Sequence, residues 1–180
     1  MSNVKNLNQN DLGTILVVED EPEVREVLVE QLNSLTPQVL TAENGKVGIE
    51  MLKTHPIDAI LSDISMPKMN GIQFLAAVRE AGYETPFVIL TGYADKQNTL
   101  QALRLGATDF LDKPFVYEVL QNVMGKALEL GKAVRSIEAE IEKAFRSSAR
   151  SPEEIQKFKT AKRAIAMMRK DMEIYTRKAS

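Results

Sequence analysis

The chain has 180 residues, of which 44% are hydrophobic and 27% charged, a composition typical of globular proteins. It contains no cysteine, which excludes disulfides and thiolate metal sites and fits the cytoplasmic location that we expect. No apolar stretch is long enough to span a membrane, and residues 1–13 are too polar for a signal peptide. We expect residues 1–13 to be a flexible N-terminal tail.

Charge is unevenly distributed along the chain, whose formal net charge is −2. Residues 1–124 contain 9 Lys and Arg against 17 Asp and Glu, a net charge of −8. Residues 125–180 contain 14 Lys and Arg against 8 Asp and Glu, a net charge of +6. This contrast predicts two parts with different roles.

Five short apolar runs predict five buried strands, at residues 14–18, 39–42, 57–62, 87–90 and 108–111. Segments with apolar residues at helical spacing follow them: a helix beginning at Pro22, residues 45–54, a helix stopping near Gly82, residues 95–105, and a helix after Pro114. Strands that are apolar throughout are buried on both faces. The alternation therefore predicts a doubly wound α/β fold, with a parallel sheet between two layers of helices.

Charged and hydroxyl-bearing residues stand where four of the predicted strands end. Strand one ends in Glu19 and Asp20, strand three in Asp63, strand four in Thr91, and strand five leads into Lys113. The carboxyl ends of parallel strands meet at one rim of the sheet, where such folds bind their ligands. We therefore expect these side chains to lie together.

The chemistry of this rim points to a phosphoryl group. Three clustered carboxylates repel one another unless a positive charge lies among them, and a hard cation such as Mg²⁺ suits oxygen ligands. Lys113 adds an ammonium and Thr91 a hydroxyl, which together fit phosphoryl transfer to an aspartate. Taken singly, Asp20 could be only a helix cap, Thr91 a turn residue and Lys113 a solvated side chain. Their coincidence at strand ends favours the functional interpretation.

Four motifs in residues 14–124 resemble the receiver domain of bacterial two-component response regulators. They are ILVVEDE at 15–21, DISMPKMNG at 63–71, TG at 91–92 and GATDFLDKPF at 106–115. The resemblance implies a receiver domain over residues 14–124 with the flavodoxin-like strand order 2-1-3-4-5. It also implies that Asp63 accepts a phosphoryl group from a histidine kinase or phosphotransfer protein.

The resemblance assigns further roles at the rim. The implied Mg²⁺ ligands are Glu19 (directly or through water), Asp20, Asp63 and the backbone carbonyl of Ser65. Thr91 and Lys113 would contact the phosphoryl group, and Thr91 and Phe110 would be the switch residues. The Lys113–Pro114 peptide is expected to be cis.

Residues 125–180 predict a helical extension. Nine apolar positions alternate in steps of four and three and predict a heptad seam that prolongs the last receiver helix to about residue 146. These positions are Val116, Leu120, Val123, Ala127, Leu130, Val134, Ile137, Ile141 and Ala144. Ser151 and Pro152 then predict a break and a second helix over about 152–178, whose basic face is most simply a solvated surface. The two helices would form either an intramolecular hairpin or a dimeric bundle, and the dimer would cover the seam better.

We therefore expect a phosphorylation-activated response regulator that signals through a homodimer or a downstream protein partner, without a DNA-binding or enzymatic output domain. DNA binding has weak support, because acidic residues interrupt the basic face and aromatic residues are few. The alternative is a Mg²⁺-dependent phosphohydrolase with an aspartyl-phosphate intermediate. Such an enzyme needs an acid two positions after its nucleophile, where this chain has Ser65. A scaffold that uses the fold without phosphorylation is disfavoured by the intact rim.

Overall fold

Strands and helices alternate along the residues that the computed structural model describes, 12–92, 96–147 and 153. The strands are β1 Ile15–Val18, β2 Val39–Ala42, β3 Ala59–Asp63, β4 Phe87–Thr91 and β5 Asp109–Asp112. The helices are α1 Pro22–Leu32, α2 Gly45–Thr54, α3 Gly71–Glu80, α4 Lys96–Leu105 and α5 Tyr117–Ser147. Except for Glu153, the predicted second extension helix at 152–178 and its basic face lie outside the described residues.

The five strands form one parallel sheet in the order β2-β1-β3-β4-β5. The predicted fold class and strand order are thus confirmed. The register aligns the carboxyl ends of the strands, since Val18 pairs with Ser62 and Thr91 pairs with Asp112. The residues that end or directly follow β1, β3, β4 and β5 therefore share one rim.

Successive side chains of the strands point to opposite faces and enter two separate cores. Leu16, Ile60 and Ile89 enter one core, and helices α2, α3 and α4 cover it. Their buried contributions are Leu52, Phe74, Leu75, Val78 and Ala102. Val17 and Leu61 enter the other core, which α1 and α5 cover. Because helices cover both faces of the sheet, a ligand can reach the strands only at the two ends of the sheet.

Helix α5 buries a stripe that only partly coincides with the predicted heptad seam. Its buried residues are Leu120, Met124, Ala127 and Leu128, all in the core shared with α1. Three other seam residues are largely exposed: Val116 at 60%, Leu130 at 49% and Ile137 at 56%. The seam positions Leu120 and Ala127 therefore serve the protein's own core, whereas Leu130 and Ile137 lie on an exposed side of α5, and Val116 precedes the helix.

The chain divides into two compact units, Met1–Val134 and Arg135–Ser180. At the start of the first unit, Gly13 is buried with a φ of 80°, and its carbonyl accepts a hydrogen bond from Oγ1 of Thr36 at 2.7 Å. The predicted tail lies outside the described residues up to residue 11. The predicted boundary between 14–124 and 125–180 stays a prediction. In the described part of the chain, every helix is too short or too polar to cross a membrane.

Candidate metal and phosphoryl-transfer site

Three carboxylates converge at the carboxyl rim of the sheet. One oxygen each from Glu19, Asp20 and Asp63 lies within 4.8 Å of the others. Glu19 directly follows β1 and is only 1% exposed, and Asp63 ends β3 and is 7% exposed. Carboxylate oxygens at this spacing form a donor set that fits a hard divalent cation such as Mg²⁺. The three acidic side chains predicted to lie together do so.

Lys113 places an ammonium between two of these carboxylates. Its Nζ lies 2.6 Å from Oδ1 of Asp63 and 3.1 Å from Oε2 of Glu19. The backbone N–H of Lys113 donates to the carbonyl of Thr91 at 2.7 Å, which ties the ends of β4 and β5 together. The Lys113–Pro114 peptide is cis, as expected. The ammonium offsets part of the repulsion within the acidic cluster.

The surroundings of the rim shift the pKa of Glu19 and the pKa of Lys113. Burial raises the pKa of Glu19, and the Asp63 charge adds to the rise, against the opposing hydrogen bond and charge of Lys113. Burial by itself lowers the pKa of Lys113, but its hydrogen bonds to Asp63 and Glu19 and their charges outweigh this and raise it. Lys113 is therefore a fixed cation at neutral pH, whereas Glu19 holds a proton more readily than an exposed glutamate.

The carboxylate and backbone of Asp63 are both held in place. Its Oδ1 contacts Lys113, and its Oδ2 accepts the N–H of Ser65 at 2.7 Å. The N–H of Gly71, the first residue of α3, donates to the carbonyl of Ile64 at 2.9 Å. A Cβ on Gly71 would lie 2.1 Å from the carbonyl oxygen of Asp63, so any larger residue would displace the end of β3.

The remaining predicted site residues are close to the rim in sequence. Thr91 ends β4, is 3% exposed, and its hydroxyl donates to the carbonyl of Gly92 at 3.2 Å. Ser65 is exposed, and its carbonyl as a metal ligand stays a prediction. Phe110 lies in β5, half-buried against the core under α4, and its role as a switch residue also stays a prediction.

Arg25, which the sequence patterns do not single out, contacts the backbone of the loop that carries Glu19 and Asp20. Its Nη1 donates to the backbone carbonyl of Glu19 at 2.6 Å and to that of Asp20 at 3.3 Å. The available signal was its place in the first turn of the helix predicted to begin at Pro22. From there a long side chain can reach back to the preceding loop.

A flavodoxin-like parallel sheet with this rim of acids, lysine and threonine defines a class of phosphoacceptor domain. The family model "Response regulator receiver domain" matches residues 15–124, and the chain belongs to this family. Receiver domains are phosphoacceptor switches of two-component signalling that bind Mg²⁺ at an acidic pocket. They interact with histidine kinases or phosphotransfer proteins.

Individual relatives agree with this assignment. The chain is 32% identical over 126 residues to the regulatory protein AtoC of Escherichia coli (strain K12), covering 70% of this chain and 27% of AtoC. It is 32% identical over 114 residues to the probable C4-dicarboxylate response regulator DctR of Priestia megaterium, covering 62% of this chain and 50% of DctR. The crystal structure of the receiver domain of a Syntrophus aciditrophicus histidine kinase is 31% identical, with a TM-score of 0.60, covering 65% of this chain and 90% of that domain. The chain thus spans half or less of the length of the two curated relatives.

Proposed function

We propose that Asp63 is the phosphoacceptor of this receiver domain and that its phosphorylation controls an output through the C-terminal helices. The observation that supports this most directly is the contact of 2.6 Å between Lys113 Nζ and Asp63 Oδ1, at the rim where Glu19 and Asp20 converge. The phosphoryl donor would be a histidine kinase or a phosphotransfer protein.

Each residue of the rim has its own proposed role in phosphoryl transfer. Asp63 supplies the nucleophilic oxygen, and Lys113 is placed to balance the negative charge that the phosphoryl group brings. Thr91 supplies a hydroxyl donor at the end of the neighbouring strand. Bound Mg²⁺ would shield the repulsion between the carboxylates and the phosphoryl group. Glu19, Asp20, Asp63 and the Ser65 carbonyl would hold the ion.

The response to phosphorylation would pass through the strands that carry these side chains. Thr91 and Phe110 are the proposed switch residues, on the adjacent strands β4 and β5. Phe110 pairs with Ile89 in the register and packs against the core under α4. A shift of Thr91 toward a phosphoryl group would therefore disturb the packing of Phe110 against the core that α2, α3 and α4 cover.

The proposed output is a homodimer, or a complex with a downstream protein, formed through the C-terminal helices. Helix α5 runs to Ser147, although the family match ends at residue 124. Beyond residue 124 it carries Leu130 and Ile137, which are 49% and 56% exposed. Exposed apolar residues spaced by seven lie on one side of a helix and are suited to pack against a second helix. That the protein has no DNA-binding or enzymatic output domain stays a prediction.

The phosphohydrolase alternative is not favoured. An acid two positions after the nucleophile would be needed for hydrolysis of the aspartyl phosphate, and Ser65 has no ionisable side chain. The contact of Ser65 with Asp63 is made by its backbone N–H, which donates to Oδ2 at 2.7 Å.

The test is chemical phosphorylation by acetyl phosphate with Mg²⁺, followed by mapping of the adduct by mass spectrometry. We expect one phosphoryl group per chain on Asp63 and no labelling of Asp63→Asn. Asp109→Asn, which changes an exposed aspartate in β5, is the matched control and should label like wild type. Labelling of Asp63→Asn at the wild-type rate would refute the assignment, and continuous release of phosphate with no stable adduct would favour the phosphohydrolase.

A further inference from the structure

We propose that Arg25 is a positioning residue for the metal site, because its guanidinium fixes the loop that carries Glu19 and Asp20. This inference rests on the proposed function, since it concerns a cation bound at the acidic rim. Arg25 does not belong to the acidic cluster itself. It would act on the peptide units from which two of the three carboxylates project.

One nitrogen of Arg25 holds two consecutive carbonyls. Nη1 donates to the carbonyl oxygen of Glu19 at 2.6 Å and to that of Asp20 at 3.3 Å. The backbone N–H of Arg25 donates to the carbonyl of Glu21 at 2.9 Å, so Arg25 belongs to the first turn of α1. The half-buried side chain therefore folds back over the start of its own helix. Fixing both carbonyls restricts the directions in which the Glu19 and Asp20 side chains leave the backbone.

The loop before α1 needs this support because it lacks the cap that neighbouring helices have. Asn44 accepts two backbone N–H groups at the start of α2, and Asn70 forms a capping box at the start of α3. At α1 the N-cap residue is Glu21, whose side chain makes no capping hydrogen bond. A side-chain cap is the usual device that fixes the entry of a helix. Arg25 cannot accept the free N–H groups of the first turn, but it adds two hydrogen bonds to the loop, beside the one that the N–H of Glu21 donates to Oε1 of Glu19 at 3.4 Å.

The charge of Arg25 and its positioning role predict opposite effects on cation binding. A guanidinium near three carboxylates repels a second cation, so removing its charge alone would strengthen Mg²⁺ binding. Loosening the loop would weaken Mg²⁺ binding, because the ligands would have to be ordered when the ion binds. Residues that orient metal ligands typically contribute on the order of tenfold or more to metal affinity. The direction of the change therefore separates the two effects.

The experiment measures Mg²⁺ affinity by calorimetric titration without a phosphodonor, in wild type, Arg25→Met and Arg25→Lys. We expect Arg25→Met to bind Mg²⁺ on the order of tenfold more weakly. Arg25→Lys, whose ammonium can still donate to the carbonyls, should lie between it and wild type. Lys46→Met, which removes an exposed cation from α2, is the control and should bind like wild type.

A second readout is the rate of Asp63 labelling by acetyl phosphate as a function of Mg²⁺ concentration. For Arg25→Met we expect a higher half-saturating Mg²⁺ concentration and a nearly unchanged rate at saturation. A folded Arg25→Met with unchanged or tighter Mg²⁺ binding overturns the proposal. Should Arg25→Met fail to fold, Arg25→Lys decides, and wild-type affinity in that variant overturns it. Failure of wild type itself to bind Mg²⁺ and label Asp63 would instead refute the proposed function.

Discussion

Gly131 in α5 packs directly on the backbone of Asp58, which precedes β3. A Cβ on Gly131 would lie 1.6 Å from the carbonyl oxygen of Asp58. Asp58 is 1% exposed, and its Oδ2 accepts the N–H of Thr14 at 2.8 Å. Helix α5 is therefore seated at the amino end of the strand whose carboxyl end carries Asp63. Gly131, the residue in contact, lies seven residues beyond residue 124, where the family match ends.

The first prediction is that Gly131→Ala destabilises the protein. In a helix interior, glycine is ordinarily less stable than alanine by roughly 0.5–1 kcal/mol, so this substitution should normally stabilise. At residue 131 the added methyl group would overlap a backbone carbonyl that cannot move without disturbing β3. Such overpacking typically costs about 1–3 kcal/mol, which reverses the sign. The measurement is the free energy of unfolding in urea.

Gly125→Ala is the matched control in the same helix. Its Cβ would meet only Cδ2 of Leu35 at 3.7 Å, an ordinary van der Waals contact. We expect this variant to gain about 0.5–1 kcal/mol from the restricted unfolded chain. Equal stabilisation by both substitutions would show that α5 does not rest on Asp58 in solution.

The second prediction concerns Lys113→Met. The ammonium contacts Asp63 and Glu19 and competes with any cation for both carboxylates. Its removal should tighten Mg²⁺ binding and, at the same time, slow labelling of Asp63 by acetyl phosphate on the order of a hundredfold, since charge stabilisation is lost. Both quantities are measured on the same preparation. Lys68→Met, which breaks an ion pair with Glu43 in which both side chains are exposed, should change neither.

The third prediction follows from the raised pKa of Glu19. Its ordinary pKa is 4.5, and burial raises it in the folded protein. In the window between 4.5 and the raised value, the folded state binds more protons than the unfolded state, so stability falls as pH rises. The quantity to measure in metal-free protein is the free energy of unfolding of wild type minus that of Glu19→Gln. This difference should fall as the pH rises above about 4.5 and should then become constant. A difference that is constant over this range would contradict the pKa shift.

The rim was predictable because strand ends can be read from apolar runs. Strand β2 and helix α2 have the predicted bounds. The parallel pairing of β1, β3 and β4 brings Glu19, Asp63 and Thr91 to one edge of the sheet. Strand β3 starts two residues later than predicted, at Ala59. At Asp58 the backbone N–H still donates to the Thr14 carbonyl at 2.9 Å, but the N–H of Thr14 donates to the Asp58 side chain instead of to a backbone carbonyl.

The contact of Gly131 could not be read from the sequence, because periodicity carries no information about how closely α5 approaches the carbonyl of Asp58. The place of Arg25 in the first turn of α1 lets its side chain reach the preceding loop, but the sequence does not fix the rotamer that makes the contact. The heptad pattern of α5 also cannot tell which side of the helix the sheet takes. Met124 and Leu128, outside the seam, are buried, whereas the seam residue Leu130 is exposed.

The last prediction is that the protein forms a homodimer through the distal part of α5. Within the single chain Ile137 is 56% exposed and Leu130 49% exposed, and Ile141 is half-buried four residues after Ile137. Burying an isoleucine or leucine side chain contributes about 1.5–3 kcal/mol, which suffices for association when several act together. Light scattering of wild type at tens of micromolar, with and without phosphorylation, should give the mass of a dimer in at least one state.

The double variant Ile137→Asp plus Ile141→Asp should be a monomer, because four carboxylates would meet in the interface of a two-helix seam. Ser136→Asp plus Ala139→Asp is the matched control, since it adds the same charge at exposed positions off the seam and should leave the dimer intact. The competing outcome is a hairpin in which residues 152–178 cover the seam within one chain. In that case wild type would be a monomer at every concentration in both phosphorylation states. The seam substitutions would then lower the thermal stability of the monomer without changing its mass.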